Sequence, residues 1–168
     1  MPAPPSKRAD SCPCGTGVSY ALCCQRYHRG EREAPDAEAL MRSRYAAFAK
    51  AQTDYLWRTL HPDHPDRAAP EAAGLASIRR MCERVRYMGL TVLDRTAPDP
   101  DGVARVLFVA RLFERGRDVG FMEASDFAHD GTGWRYLAGE ALPLSAVTGD
   151  PATVTLGTFT ARTAARAR

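Results

Sequence analysis

The sequence lacks any apolar run long enough to cross a membrane, and residues 1–8 lack the apolar segment of a secretory signal peptide. We therefore expect a cytoplasmic protein that does not associate with membranes.

Cysteine is nearly absent from most of the chain. Cys82 is the only one of the five cysteines that follows residue 28. Since thiols stay reduced in the cytoplasm, a framework of structural disulfides is not expected.

No strong excess of charge marks the chain, whose formal net charge is +3. The front contributes +3 through Lys7, Arg8, Arg26 and Arg29 against Asp10, while the C-terminal end contributes +2 and the middle of the chain −2. Few aromatic residues are interleaved with the basic residues of the front or of the tail. Salt-sensitive binding of nucleic acid through these residues is therefore the least favoured function.

Length and composition are typical of one globular domain, with 168 residues of which 45% are apolar and 26% charged. This length permits a sizeable core with a short appendage in front of it. The predicted organisation is a flexible leader over 1–10, a cysteine-rich segment over 11–30, a folded domain over 31–145 and a flexible tail over 146–168. The tail is assigned because its Thr, Ala, Gly and Arg residues show no periodicity.

Four cysteines lie within thirteen residues at the spacing C-x-C-x8-C-C, namely Cys12, Cys14, Cys23 and Cys24. Four thiolates at this spacing can surround one metal ion tetrahedrally, and zinc is the ion that such a set prefers. Because four protein ligands leave no open position for water, we expect one structural zinc ion. The alternative is a set of free thiols or a redox pair, although C-x-C and C-C are poor disulfide geometries.

Three histidines were weighed as further metal ligands. His28 follows Cys24 by four residues on the same helical face, so it could replace one thiolate or donate a hydrogen bond to a ligating sulfur. His61 and His64 stand in a loop with two prolines, which favours an ordinary polar loop over a metal site.

Apolar residues at spacings of three and four predict a helix that begins at Pro35 and is capped by Asp36. The apolar stripe of this helix consists of Leu40, Met41, Tyr45 and Phe48. The polar residues 42–44 are expected to lie mostly outside the stripe. Two more helices are predicted over 53–60 and 71–88, with Cys82 as a core residue of the second.

After Gly89 the pattern changes to β-strands separated by Pro, Asp and Gly turn signals. The four predicted strands cover 90–96, 103–114, 119–129 and 133–139. Helices followed by strands favour an α+β fold, in which helices pack on a curved antiparallel sheet of four or more strands.

The connection between the second and third strands is predicted to be a three-residue loop. In that register Val109 faces Glu123, and Arg111 becomes its diagonal neighbour on the same apolar face. The two charges then either form a structural ion pair or open a pocket, in which Glu123 accepts a proton, Arg111 binds an anion and Tyr136 lines the wall. Asp126 alternates to the opposite face and cannot serve the same pocket without a bulge.

Five motifs occur in one order along residues 10–142, namely C-P-C-G-T-G-V-S-Y-A-L-C-C, L-M-R-S-R-Y-A-A-F, F-V-A-R-L, E-A-S-D-F and G-W-R-Y-L-A-G. The first resembles the SEC-C zinc motif, and the series resembles the YchJ-like family. This resemblance implies a SEC-C zinc knuckle over 11–30 and a cone-shaped, nuclear-transport-factor-2-like domain over 31–145. It also implies that Cys12, Cys14, Cys23 and Cys24 bind zinc, and it implies no settled biochemical activity.

The resemblance also bears on partners. SEC-C knuckles resemble docking elements more than catalysts, since that region of the bacterial translocation motor engages a secretion chaperone and the ribosome. By analogy, we expect the knuckle to dock a macromolecular partner, a protein in the first place, and the chain to be non-catalytic. The alternative is a small-molecule enzyme of the isomerase or hydrolase type with Glu123, Arg111 and Tyr136 in the cone pocket. Cone domains often dimerise through their sheets, so a homodimer is compatible with this sequence.

Overall fold

Helices precede a five-stranded antiparallel sheet in the computed structural model, which describes residues 10–159. The helices are α1 (Gln25–His28), α2 (Ala37–Ala49), α3 (Thr53–Arg58) and α4 (Glu71–Arg84). The strands are β1 (Arg86–Arg95), β2 (Val103–Glu114), β3 (Arg117–Asp118), β4 (Phe121–His129) and β5 (Trp134–Pro143). The sheet order is β1-β2-β4-β5, with the short β3 paired to β2, so the predicted α+β fold is confirmed. Apart from Asp10, the predicted leader lies outside the described residues.

Helix α2 is the central helix of the molecule. Its cap is the predicted one, because the Asp36 side chain accepts a hydrogen bond from the Ala39 amide at 2.8 Å. Its burial differs from the prediction, since Ser43 and Arg44 are as buried as the apolar stripe. The reason is that α2 packs against the sheet on one side and against the cysteine-rich segment on the other, where Ala46 contacts the cysteines.

Helix α4 ends at Arg84, four residues before the predicted end, and the backbone of Val85 is already extended. Strand β1 follows directly and begins at Arg86, which pairs with Phe113 of β2. The strand therefore starts earlier than residue 90, where the sequence pattern predicts it. No residue of α4 is fully buried, although Ile78 and Cys82 pack partly against the core. Helix α4 therefore covers one face of the sheet only in part.

The hairpin between β2 and β4 has a different register from the predicted one. The turn has two residues, Arg115 and Gly116, with positive φ angles of 49° and 75°, as in the tight turns that suit twisted hairpins. The shorter turn moves the pairing by one position, so that Phe108 opposes Glu123. The predicted register is wrong, and Arg111 and Glu123 consequently lie on opposite faces of the sheet.

One face of the sheet packs on the helices and the other packs on the end of the chain. The outer face, which includes Leu107 and Met122, is covered by Val154, Leu156 and Phe159. The Leu156 amide also donates to the Asp94 carboxylate at 2.9 Å. Residues 154–159, which belong to the predicted flexible tail, are thus packed on the sheet, where they cover its apolar outer face. Residues 160–168 of the predicted tail lie outside the described part of the chain.

The segment after α3 adds a short parallel contact at the edge of the sheet. The Tyr136 amide donates to the Thr59 carbonyl at 2.9 Å, and the His61 amide donates to the Tyr136 carbonyl at 2.8 Å. These bonds hold Tyr136 of β5 beside the C-terminal end of α3. Between residues 10 and 159, no helix combines the length and apolar character that a membrane crossing requires.

Candidate functional site

The first pair of cysteines lies on a tight turn. The Cys12 amide donates to the Val18 carbonyl at 2.8 Å, and the Gly15 amide donates to the Cys12 carbonyl at 3.3 Å. Gly15 has a φ of 84°, a left-handed conformation that favours glycine, and a Cβ at this position would lie 3.1 Å from the Leu90 carbonyl oxygen. The turn therefore brings Cys12 and Cys14 to one side at the place predicted from the glycines.

The second pair lies between a single 3-10 turn over Tyr20–Leu22 and the first residue of α1, with Cys24 at the N-cap of α1. All four sulfur atoms lie within 4.8 Å of one another, with Cys14 and Cys23 at 3.6 Å and Cys23 and Cys24 at 3.9 Å. A tetrahedral zinc ion with Zn–S bonds of about 2.3 Å separates its sulfurs by about 3.8 Å. The four cysteines could therefore hold one metal ion.

The electrostatics of the cluster favour a bound cation. Hydrogen bonds from the Cys12 and Cys24 thiols lower the pKa of Cys14, whereas the same contact with Cys14 raises the pKa of Cys12 to about 11. Interactions with the Cys12 and Cys14 sulfurs also raise the pKa of Cys24. One thiol therefore ionises at the expense of its neighbours, and a full set of thiolates needs a cation to offset its charge.

The cysteine cluster is connected to the rest of the fold through α2. Arg42 donates to the Cys14 carbonyl at 2.7 Å and also forms an ion pair with Glu38 at 3.2 Å. Three of the four cysteines are buried, and only Cys23 is partly exposed. The turn that carries the cysteines is thus packed against α2.

His28 lies between the knuckle and α2, where both ring nitrogens have hydrogen-bond partners. Its Nε2 lies 2.8 Å from the Ser43 carbonyl, which can only accept, so Nε2 carries the proton. Its Nδ1 then accepts a hydrogen bond from the Tyr20 hydroxyl at 2.7 Å. Burial lowers the pKa of His28, in keeping with this neutral ring. Both ring nitrogens of His28 thus join the knuckle to α2, and the role of His28 at the metal stays a prediction.

A second candidate site is a cavity of about 770 Å³ between the helices and the inner face of the sheet. Most of its walls are apolar, and its aromatic lining consists of Tyr45, Phe48, Trp57, Tyr87, Phe108, Phe121, Phe127 and Tyr136. Met81 and Val119, which are exposed, line its outer part, so the cavity opens to solvent. Its volume falls within the range of small-molecule sites.

Glu123 and Tyr136 lie together in this cavity, as predicted. The Glu123 Oε1 atom accepts hydrogen bonds from the Ser125 hydroxyl at 2.6 Å and from the Tyr136 hydroxyl at 2.8 Å. Burial, followed by the charge of Glu123, raises the pKa of Tyr136. Tyr136 is therefore a neutral donor that holds the Glu123 carboxylate against β5.

Arg111 is not part of the cavity. It is exposed on the outer side of the sheet, where it pairs with Gly89 of β1. Asp126 also faces away from Glu123, as expected from strand alternation, and its carboxylate accepts from Arg105 Nε at 2.7 Å. The predicted ion pair of Arg111 with Glu123 does not form, because the two-residue turn changes the register.

A buried cation of the cavity lining is Arg44, which the sequence analysis places outside the apolar stripe. Its Nη1 donates to the Leu56 carbonyl at 2.8 Å and to the Thr59 hydroxyl at 2.6 Å. Its guanidinium carbon lies 5.0 Å from the centre of the Tyr136 ring. Burial lowers the pKa of Arg44 to about 10, so the side chain still carries a positive charge at neutral pH.

A signal for Arg44 was present in the sequence. It lies four residues after Leu40 and four before Phe48, and this spacing puts it on the apolar stripe of α2. His64 also reaches the cavity, where its ring lies 5.3 Å from that of Tyr136. The local sequence does not indicate that His64 lines the cavity, because this placement depends on the contact of the His61–His64 loop with β5.

Comparison with known sequences agrees with these two parts of the molecule. The model described as "YchJ, middle NTF2-like domain" matches residues 36–139, and the SEC-C motif matches residues 8–26. The chain belongs to the YchJ-like family. Its similarity to the UPF0225 protein YchJ of Shigella dysenteriae is 41% identity over 128 residues, which cover 76% of this chain and 81% of that protein.

Two solved structures resemble this YchJ-like chain. A SEC-C motif-containing protein from Rhodopseudomonas palustris has 32% identity and a TM-score of 0.68, covering 79% of this chain and 98% of that one. Another from Psychrobacter arcticus has 25% identity and a TM-score of 0.64, covering 77% of this chain and 81% of that one. The family resemblance and the fold predicted from the motifs are thus confirmed.

Proposed function

We propose that this protein is a cytoplasmic zinc protein whose knuckle docks a macromolecular partner. The observation that carries the metal assignment is the group of four sulfurs within 4.8 Å of one another. Thiolates select zinc among the common divalent ions, and four of them leave no position for a reacting water. The zinc is therefore structural, and its role is to hold the loop between the two cysteine pairs.

That loop carries the surface to which we assign the docking function. Val18 and Leu22 are 44% and 71% exposed, which is unusual for apolar side chains of this size in an ordered segment. Both lie between the two pairs of ligands, so the zinc would keep them in place. A protein partner with an apolar recess fits this surface, and rigid anchor residues reduce the entropy cost of binding.

Metal analysis of the reduced, purified protein tests the zinc assignment. We expect one zinc ion per chain in the wild type and a loss of most of it in Cys14→Ser, because serine is a poor zinc ligand. Cys82→Ser is the matched control, since it removes a cysteine from α4 and should leave the zinc content unchanged. Zinc-free wild type, or full occupancy in Cys14→Ser, would refute the assignment.

The docking assignment is tested by quantitative cross-linking in cells, followed by purification of the tagged protein. A partner recovered with the wild type should be lost with the double variant Val18→Ser, Leu22→Ser while the zinc content stays at one. Met88→Ser, which also removes an exposed apolar side chain but lies on β1, serves as the control. Equal recovery with all three proteins contradicts docking through the knuckle.

Subcellular fractionation of the same cells tests the cytoplasmic location.

The cavity supports a second candidate function, a small-molecule enzyme in which Glu123 accepts a proton. The specific observation is that Oε1 of Glu123 is held by two hydroxyl groups while the carboxylate faces an apolar cavity. Deuterium exchange from solvent into a panel of carbonyl compounds, followed by NMR, tests for proton abstraction. Exchange should be lost in Glu123→Gln. Equal exchange with both proteins would exclude Glu123 as the base.

A further inference from the structure

We infer that the cone cavity binds a small amphipathic organic acid and that Arg44 binds the carboxylate of this ligand. Arg44 is only 9% exposed, yet no carboxylate between residues 10 and 159 lies within 4.0 Å of its guanidinium. A buried charge without a close partner of opposite sign is unfavourable, and a bound carboxylate would supply that partner. The inference concerns the cavity of the second candidate function but requires no turnover.

The hydrogen bonds of Arg44 leave one side of the guanidinium free for a ligand. Nη1 uses its two hydrogens on the Leu56 carbonyl and the Thr59 hydroxyl. The hydrogen bonds of Arg44 to the described residues all come from Nη1, so Nε and Nη2 have no acceptor there, and Arg44 lines the cavity. Their geometry matches the two oxygens of a carboxylate, which arginine binds in a bidentate manner.

Tyr136 explains why Glu123 does not neutralise Arg44. The Tyr136 hydroxyl holds the carboxylate of Glu123, while the face of the same ring lies under the guanidinium. Arg44 and Glu123 thus both contact Tyr136 without forming an ion pair with each other. The guanidinium remains available, and the negative charge of Glu123 favours a ligand that carries only one acidic group.

Most of the remaining lining of the cavity is apolar and favours an apolar ligand body, although Asp66, Arg84 and Glu114 also line the cavity. The apolar side chains of the lining include Phe48, Trp57, Ile78 and Phe121. A highly polar anion would lose its hydration there without compensation, whereas an aliphatic or aromatic chain gains from burial at this wall. The cavity volume of about 770 Å³ exceeds what a chain of several carbons needs. The ligand class is therefore an amphipathic monocarboxylic acid.

Isothermal titration calorimetry of the full zinc-loaded chain with octanoate and octanol tests this inference, because the two probes differ mainly in the carboxylate. Octanoate should bind the wild type at least about tenfold more tightly than octanol. Arg44→Met should weaken octanoate binding by about 10- to 100-fold and change octanol binding by no more than about twofold. Arg111→Met removes an exposed arginine from the outer side of the sheet and should change neither affinity.

Three outcomes would overturn the inference: no saturable binding of octanoate to the wild type, equal affinity for both probes, or an unchanged octanoate affinity in Arg44→Met. If circular dichroism shows that Arg44→Met is unfolded, the arginine Nε–H resonance of Arg44 in the wild type decides. It must shift with octanoate and not with octanol, and any other result rejects the inference. Failure here leaves the zinc content and the exchange activity of Glu123 untouched, so the three assignments are tested separately.

Discussion

The knuckle and the cavity are built in opposite ways. The knuckle takes its four candidate metal ligands from residues 12–24 and can be recognised from their spacing. The cavity takes Arg44 from α2, Glu123 from β4 and Tyr136 from β5, and these three residues have no sequence spacing in common. Local chemistry thus specifies one site, whereas the other exists only after the sheet register is set. From this difference we expect metal removal to affect only the knuckle, whereas changes in packing at the sheet should affect the whole domain.

Removal of the metal is the strongest test of the local character of the knuckle. Structural zinc sites contribute about 10–16 kcal/mol of binding free energy to folding, so a strong chelator should unfold residues 11–28. The cone sheet should persist, because its core does not include the cysteines. Hydrogen exchange measured by mass spectrometry should show lost protection in the knuckle and retained protection in β2 and β4. Equal loss in both regions would show that the two sites are not independent.

A smaller but more widespread effect is expected from Phe159→Ala. Phe159 is fully buried against the outer face of the sheet, and truncation of such a phenylalanine costs about 3–5 kcal/mol. The free energy of unfolding, measured in urea, should fall by this amount while the zinc content stays unchanged. Phe113→Ala is the control, because that ring is exposed and its removal should cost no more than about 0.5 kcal/mol. Similar losses in both variants would argue against packing of the tail.

Gly74→Ala should change the shape of the cavity at the wall that α4 contributes. An added Cβ at Gly74 would overlap the ring of Trp57, which lines the cavity. Overpacking of this kind costs about 1–3 kcal/mol, and the displaced ring should also weaken octanoate binding. In contrast, Gly89→Ala meets no atom within 4 Å and should leave both quantities unchanged. Wild-type behaviour of Gly74→Ala in thermal unfolding and calorimetry would contradict this contact.

The smallest effect concerns a second locally encoded feature, the turn between β4 and β5. Asp130 accepts from the Thr132 and Gly133 amides and pairs with Arg135 at 3.0 Å. Although burial acts in the opposite direction, the hydrogen bonds from Thr132 and Gly133 and the charge of Arg135 lower the pKa of Asp130. Asp130→Asn keeps the Oδ1 acceptor but loses the charge, so it should cost about 1 kcal/mol at neutral pH.

The pH dependence of this cost has a defined sign. Because the pKa of Asp130 is lower in the folded state than its value of about 3.9 in an unfolded chain, its stabilisation is present above about pH 4. It is lost as the pH falls through the folded-state value. The difference in unfolding free energy between the wild type and Asp130→Asn should therefore shrink on acidification. The exposed Asp101→Asn should differ little from the wild type at any pH, and a constant difference for Asp130→Asn would exclude the charge effect.

The errors of the sequence interpretation have identifiable physical causes. Arg44 lay at helical spacing from Leu40 and Phe48, so periodicity could have placed it, but its charge suggested an exposed position. Arg111 and Glu123 were assigned to one face because the length of a turn was misjudged by one residue, and strand alternation turned that error into a change of face. His64 could not have been placed, since its contact with Tyr136 joins a loop to a distant strand.

The sequence by itself determined the family, the α+β order of helices and strands, the cap of α2 and the four candidate ligands of the knuckle. These features depend on neighbours within a few residues, where spacing and residue type carry the information. Only the tertiary structure decided that the helix between the knuckle and the sheet is buried on both sides, that the chain end covers the outer face, and that Arg44 meets Tyr136 in the cavity. Those contacts join residues far apart in the chain, and their geometry follows from the strand register and from the packing of apolar faces.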